Sequence, residues 1–184
     1  MKQYLKNFAF SFFSFAFCIS STAQETKMVG GAAMYPNKNI IENAVNSKDH
    51  TTLVAAVKAA GLVETLSGNG PFTVFAPTNE AFALLPKGTV EMLLKPENKA
   101  ALSAVLTYHV IAGNIDSKTL IGLIQKNNGK FMSKTVNGEM LTFSIKNKMV
   151  ILTDEKGGMA MVTIADVMQS NGVIHVIDHV VLPN

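Results

Sequence analysis

Asn171-Gly-Val-Ile-His-Val-Ile-Asp-His-Val-Val-Leu-Pro183, at the C-terminal end of the chain, decides the fold. Asn171-Gly172 reads as a turn, and β-branched or aliphatic side chains fill almost every position from there to the proline. A half-buried strand alternates apolar and polar residues. Here Val173, Ile177 and Val181 fall on one face and Ile174, Val176, Val180 and Leu182 on the other, so both faces are apolar. That pattern predicts a strand inside the domain, covered on both sides. His175 and His179 lie within it at a spacing that makes a metal pair on a helix. On a strand the same spacing is about 13 Å, too far to share one ion. His175, flanked by Ile174 and Val176, therefore reads as a buried imidazole bonded to backbone, and no metal is expected.

The opposite end has a different character. Lys2 and Lys6 precede an apolar run from Phe8 to Ile19, and Ser21-Thr22-Ala23 offers small residues before Gln24. Residues 1–23 thus read as a secretory signal, and the run is shorter than the roughly 20 residues of a membrane span. Cys18, the sole cysteine, follows Phe17, which does not suit a lipidation site. Loss of 23 of the 184 residues leaves 161, one ordinary domain without a disulfide. A domain of that size buries roughly 70% of its unfolded surface and needs no staple. The net charge of +3 falls by two with Lys2 and Lys6, so the basic balance says nothing of nucleic acid.

Between these ends the pattern is first helical, then β. Residues 24–38, with Gly30-Gly31 and Pro36, read as a short flexible leader, and the domain is placed over 39–184. Ile40, Ile41, Ala44 and Val45 recur at helical spacing. Asp49 or Thr51 starts a second helix that Gly61 ends. Phe72 to Ala76 reads as a strand and Asn79 as the cap of the helix after it. Short helices follow over Thr89 to Lys95 and Glu97 to Leu106. Tyr108 to Ile111 reads as extended, and Asp116 or Ser117 caps a helix running to Lys126. After Gly129 come four strand candidates, Phe131–Val136, Met140–Ile145, Met149–Thr153 and Met159–Val167, with Asn137-Gly138 a strong hairpin signal. Helices first and a meander last indicate an α+β domain.

No arrangement of residues marks a catalytic site. The chain has no Gly-x-Ser-x-Gly elbow, no His-Glu-x-x-His, no phosphate loop and no dinucleotide fingerprint. Ser67-Gly-Asn-Gly70 reads as a tight turn before a strand. His109 reads as a core residue and His50, at a helix start, as solvated. A basic patch with interleaved aromatics, the mark of a nucleic-acid binder, is missing.

Two stretches together resemble the signature boxes of the fasciclin domain: Gly70-Pro-Phe-Thr-Val-Phe-Ala-Pro-Thr-Asn-Glu-Ala-Phe82, and Asn171 to Pro183. Between them Leu106-Thr-Tyr-His-Val-Ile111 is similar to the family's Tyr-His motif. The resemblance implies a wedge of β-sheets with several short helices packed at one side. It also implies no catalytic residues and no cofactor. Thr73, Phe75, Pro77, Asn79, Phe82, Tyr108, His109 and His175 are then structural motif residues, with Phe75 and Phe82 anchoring strand and helix to one core.

In animal matrix members an Asp-Ile pair before the second box is assigned to integrin recognition. Asp166-Val167-Met168 occupies that place here, preceded by Ile164-Ala165 instead of Glu-Pro. Asp166 is either part of a binding patch with Val167 and Met168 or a strand-end turn residue. The family reading implies a non-enzymatic exported module for cell-surface or matrix adhesion, periplasmic, surface-bound or secreted. Its partner would be a protein or glycan and not nucleic acid, and the mature chain a monomer without a membrane span. The alternative is an envelope protein that binds a small molecule or glycan in a groove beside Tyr108-His109.

Overall fold

The C-terminal segment is the centre of the sheet. The computed structural model describes residues 26–184, and the signal expected over residues 1–23 lies outside them. Strand β9 (Gly172–Ile177) pairs in parallel with β3 (Phe72–Pro77), from Phe72 opposite Gly172 to Pro77 opposite Ile177. On its other side it pairs antiparallel with β8 (Met159–Gln169). The short β4 (Val110–Ala112) lies beyond β3. A meander of β7 (Met149–Thr153), β6 (Met140–Lys146) and β5 (Lys130–Lys134) extends from β8, giving the order β4-β3-β9-β8-β7-β6-β5. The fold is α+β, with seven short helices and this seven-stranded wedge among the described residues.

Every residue of β9 is buried, because each face of the sheet carries its own core. Ile174 and Val176 join Val74, Ala76 and Val167 on one face. Helices α2 (Thr51–Ala60) and α6 (Lys99–Tyr108) cover that face with Leu53, Val57, Leu102 and Leu106. Ile177 joins Phe75, Phe143, Leu152 and Val162 on the other, under Leu120 and Ile124 of α7 (Ser117–Lys126). Burying one aliphatic side chain contributes about 1.5–3 kcal/mol, so these two layers are the main source of stability. The strand is shorter than its composition suggests. It stops at Ile177, where the Asp178 carboxylate accepts from the Met161 N–H at 2.7 Å, and the tail folds back so that Leu182 N–H meets Asp154 Oδ2 at 3.0 Å. His179 sits beyond the strand, exposed and paired with Asp178 at 2.9 Å.

Local signals account for several helix ends. Asn39 and Glu42 form a reciprocal capping box at the start of α1 (Ile40–Ala44), with bonds of 2.9 and 2.8 Å. Gly61 ends α2 at φ +74°, a conformation that costs a residue with a Cβ roughly 1–2 kcal/mol. Asp116 caps α7 by accepting from the Thr119 N–H at 2.7 Å. Helix α3 (Val63–Ser67) then breaks before β3.

Four expectations are corrected. The stretch read as a flexible leader carries a hairpin, β1 (Lys27–Val29) and β2 (Ala32–Met34), turning at Gly30-Gly31. It is docked by buried Val29 and Met34 and by the Lys27 ammonium on the Ala165 carbonyl at 2.6 Å. Tyr108 ends α6 and His109 caps it, so the extended stretch starts only at Val110. The cap of α4 (Asn79–Ala83) is Thr78, whose hydroxyl accepts from the Ala81 N–H at 3.2 Å, and not Asn79. Phe75 and Phe82 lie in different cores, on opposite faces of the sheet.

Candidate functional site

Three of the residues singled out in the sequence, Thr73, Asp166 and His175, converge on one segment, Gly113 to Ser117, the loop after β4 and the first residue of α7. Strand β8 shifts register twice between Val162 and Val167, a bulge that lifts Asp166 out of the ladder at φ +57°. Its carboxylate accepts from the Ser117 N–H at 2.6 Å and the Ser117 hydroxyl at 2.5 Å. Its own N–H donates to His175 Nδ1 at 3.3 Å. That bond makes Nδ1 an acceptor, so Nε2 carries the proton and donates to the Ile115 carbonyl at 2.9 Å. Thr73 completes the set, donating to the Gly113 carbonyl at 2.7 Å and accepting from the Ile115 N–H at 2.9 Å. Three side chains from β3, β8 and β9 thus hold one loop in place.

Aspartate, histidine and serine meet here without a nucleophile–base pair. Ser117 Oγ faces a carboxylate, while His175 faces a backbone N–H and a carbonyl. His175 is 1% exposed and stacks on Phe75 with ring centroids 5.5 Å apart. Burial pushes its imidazole below the ordinary histidine range, opposed by the Ile115 carbonyl. Asp166 is half-buried inside a strand and held by Ser117, which corrects the expectation of a strand-end turn residue. Val167 is 1% exposed, its side chain in the helix-covered core, and Met168 is half-buried. The sequence grouped these three as one patch, but the strand alternation turns Val167 inward.

Tyr108 and His109 tie α6 to the tail and the meander. The Tyr108 hydroxyl donates to the Met140 carbonyl at 2.8 Å, and burial pushes the phenol up to about 12. His109 Nδ1 donates to the Val105 carbonyl at 2.8 Å and Nε2 accepts from Val181 N–H at 3.3 Å. Burial lowers this imidazole to about 4. Asn79 serves a neighbour: its Oδ1 accepts from the Thr52 N–H at 3.0 Å and the Thr51 hydroxyl at 3.2 Å, and its Nδ2 donates to the Lys48 carbonyl at 2.8 Å. Pro77 is the last residue of β3, where Thr78 N–H takes over by bonding the Ile177 carbonyl at 3.3 Å.

Two residues were missed or misread. Asn171 signalled only a turn, yet its buried side chain accepts from the Ile40 N–H at 3.0 Å and donates to Leu66 and Gly68 carbonyls at 2.9 and 2.8 Å. Beside it, a Cβ on Gly172 would lie 2.0 Å from the Phe72 carbonyl oxygen, so only glycine fits. His50, read as solvated, is 3% exposed and lines an apolar cavity of about 50 Å³ between the helices and the sheet. The docked hairpin and β3 cover it, contacts that local sequence does not reveal.

Comparison with known proteins agrees with this architecture. Residues 48–183 match the model of the fasciclin domain. The chain belongs to the fasciclin family. A relative from Synechocystis sp., protein sll1483, is 48% identical over 179 residues, 97% of this chain and 92% of its own. The transforming growth factor-beta-induced protein ig-h3 of Sus scrofa is 40% identical over 131 residues, 71% of this chain but 17% of the animal protein. Among solved structures, the domain pair of the insect cell adhesion molecule fasciclin I superposes with a TM-score of 0.70. It is 17% identical and covers 80% of this chain and 51% of that one, so this likeness speaks for the fold alone. Among the described residues, no helix of this fasciclin domain is long and apolar enough to cross a membrane.

Proposed function

We propose that this fasciclin domain works outside the cytoplasm as a non-enzymatic interaction module, supporting cell-surface or matrix adhesion through a protein or glycan partner. One observation carries the reading: the chain belongs to a family whose fold it shares with an insect cell adhesion molecule. The motif residues Thr73 and His175 support a scaffold role, since they hold a loop together with Asp166, the candidate binding residue.

The contact surface we favour is the outer face of the meander. Met132, Thr142, Thr153 and Met159 form a row across four strands, with Met132 55% and Met159 58% exposed. Methionine adapts its shape to a partner, and a neutral row needs no charge match. A patch this small binds weakly alone, so attachment rests on many copies presented together. The place transferred from animal relatives is the second surface, where a partner would meet Met168 and the bulge rather than Val167.

Beads densely coated with residues 24–184 should attach to envelope or matrix preparations, while the same protein free in solution competes poorly. Met132→Lys with Met159→Lys should abolish attachment without unfolding. Normal attachment by that double variant, with loss in Met168→Lys, would move the contact to the bulge; no attachment at any coating density would sink the adhesion reading.

A further inference from the structure

The cavity beside His50 goes beyond adhesion and does not rest on it. Its walls are Leu53, Val57, Val74, Leu106, Val110 and Ile174, and its rim includes half-buried Ile41, Ala44 and Val54 and exposed Lys58. Among the described residues, one buried side-chain polar atom has no hydrogen-bond partner, and it is His50 Nε2 in this cavity. Leaving a buried donor unpaired costs about 1–3 kcal/mol, a penalty native structures avoid unless the group has a use. The Ala76 carbonyl lies near enough to favour a proton on the ring, but outside bonding geometry.

The proton's position follows from the other ring nitrogen. His50 Nδ1 is 2.8 Å from the Ser47 hydroxyl, and that hydroxyl has no other hydrogen-bond partner among the described residues. Ser47 satisfies its O–H only by donating to Nδ1, which leaves the ring proton on Nε2. Burial lowers the pKa of this imidazole below the ordinary histidine range, which favours the neutral ring. The cavity lining therefore carries one unpaired N–H, since the other polar side chains in it, Ser47 and His109, are hydrogen-bonded and Lys58 stands at the rim.

We propose that this cavity binds a compact apolar molecule carrying one carbonyl oxygen, which accepts a hydrogen bond from His50 Nε2–H. Size sets the scale: an engineered apolar cavity of about 150 Å³ holds benzene, so about 50 Å³, a third of that and open at its rim, suits no more than about three or four heavy atoms. A charged group inside the cavity is disfavoured because the buried walls carry no charge, Lys58 standing at the exposed rim.

The test uses acetone and its oxygen-free isostere 2-methylpropene, titrated into the protein labelled with ¹⁵N-histidine. Expected is a saturable shift of His50 Nε2 with the ketone, and ketone binding about 3- to 10-fold tighter than hydrocarbon, the worth of one hydrogen bond. Ala44→Leu fills the rim and keeps His50, so it should abolish binding of both probes. His50→Phe, if it folds, should remove the ketone's advantage. Equal binding of the two probes, no shift at His50, or unchanged binding in Ala44→Leu would each overturn the proposal.

Discussion

The Asp166 carboxylate takes both the backbone N–H and the hydroxyl of Ser117, at 2.6 and 2.5 Å, across 49 residues of chain. Hydrogen bonds to a charged group contribute about 1.5–3 kcal/mol. Asp166→Ala is therefore expected to lower stability by about 2–3 kcal/mol in urea titration, with Asp166→Asn recovering part because its amide oxygen accepts one bond. Wild-type stability in Asp166→Ala would show that the latch carries no weight.

Asn79 caps a helix to which it does not belong. Its Oδ1 receives the Thr52 N–H at 3.0 Å, one of the donors left open at the start of α2, where His50 supplies no side-chain cap. Losing such a cap costs about 0.5–2 kcal/mol. Asn79→Ala should reach that range, and Thr78→Ala should cost a similar amount at α4 independently. A double variant far from the sum would mean that the two helix starts are coupled.

His175→Ala removes a stacked ring and leaves the Ile115 carbonyl and Asp166 N–H without their partner. The expected loss is about 2–4 kcal/mol from cavity and hydrogen bonds together. Amide exchange should rise first in Gly113 to Ser117. Unaltered protection of that loop in a destabilised variant would contradict its anchoring role.

Acid should weaken the fold before its carboxylates titrate. Burial lowers His50, His109 and His175, His109 to about 4, whereas in the unfolded chain an imidazole titrates near 6.5. As pH falls below about 6.5 the unfolded state takes up protons that the native state refuses, so stability present above that value is lost down to about 4. For His109 alone the loss amounts to about 3 kcal/mol. Urea midpoints at several values between pH 7 and 4 test this, and His109→Gln should flatten the profile. A flat wild-type profile would refute it.

How far the sequence led depends on how local each signal was. The two-faced apolar pattern of β9 needed no partner to be read, and neither did Gly61, Asp116 or Asn137-Gly138. Thr78 and Asn79 are both cap formers, and only the position of α2 decides which one serves which helix. The bulge at Asp166 exists by virtue of its register with β9, and the burial of His50 by virtue of a hairpin that short strands and two glycines disguised. Tyr108-His109 carries β-like residues, but the helical period through Leu102, Val105 and Leu106 continues into it.

The parallel pairing of β3 with β9 also bears on the order of events in biosynthesis. Phe72 and Gly172 face each other although one hundred positions apart, and β9 is the last of the described strands to leave the ribosome. At about 5–20 residues per second, β3 waits several seconds or more for the neighbour that completes its sheet. A nascent chain stalled at Ser170 has β4 beside β3 but lacks Ile174 and Val176 of one core and Ile177 and Val181 of the other. Completion of the sheet then waits on synthesis of β9, which keeps the emerging chain open to whatever machinery handles it on the way.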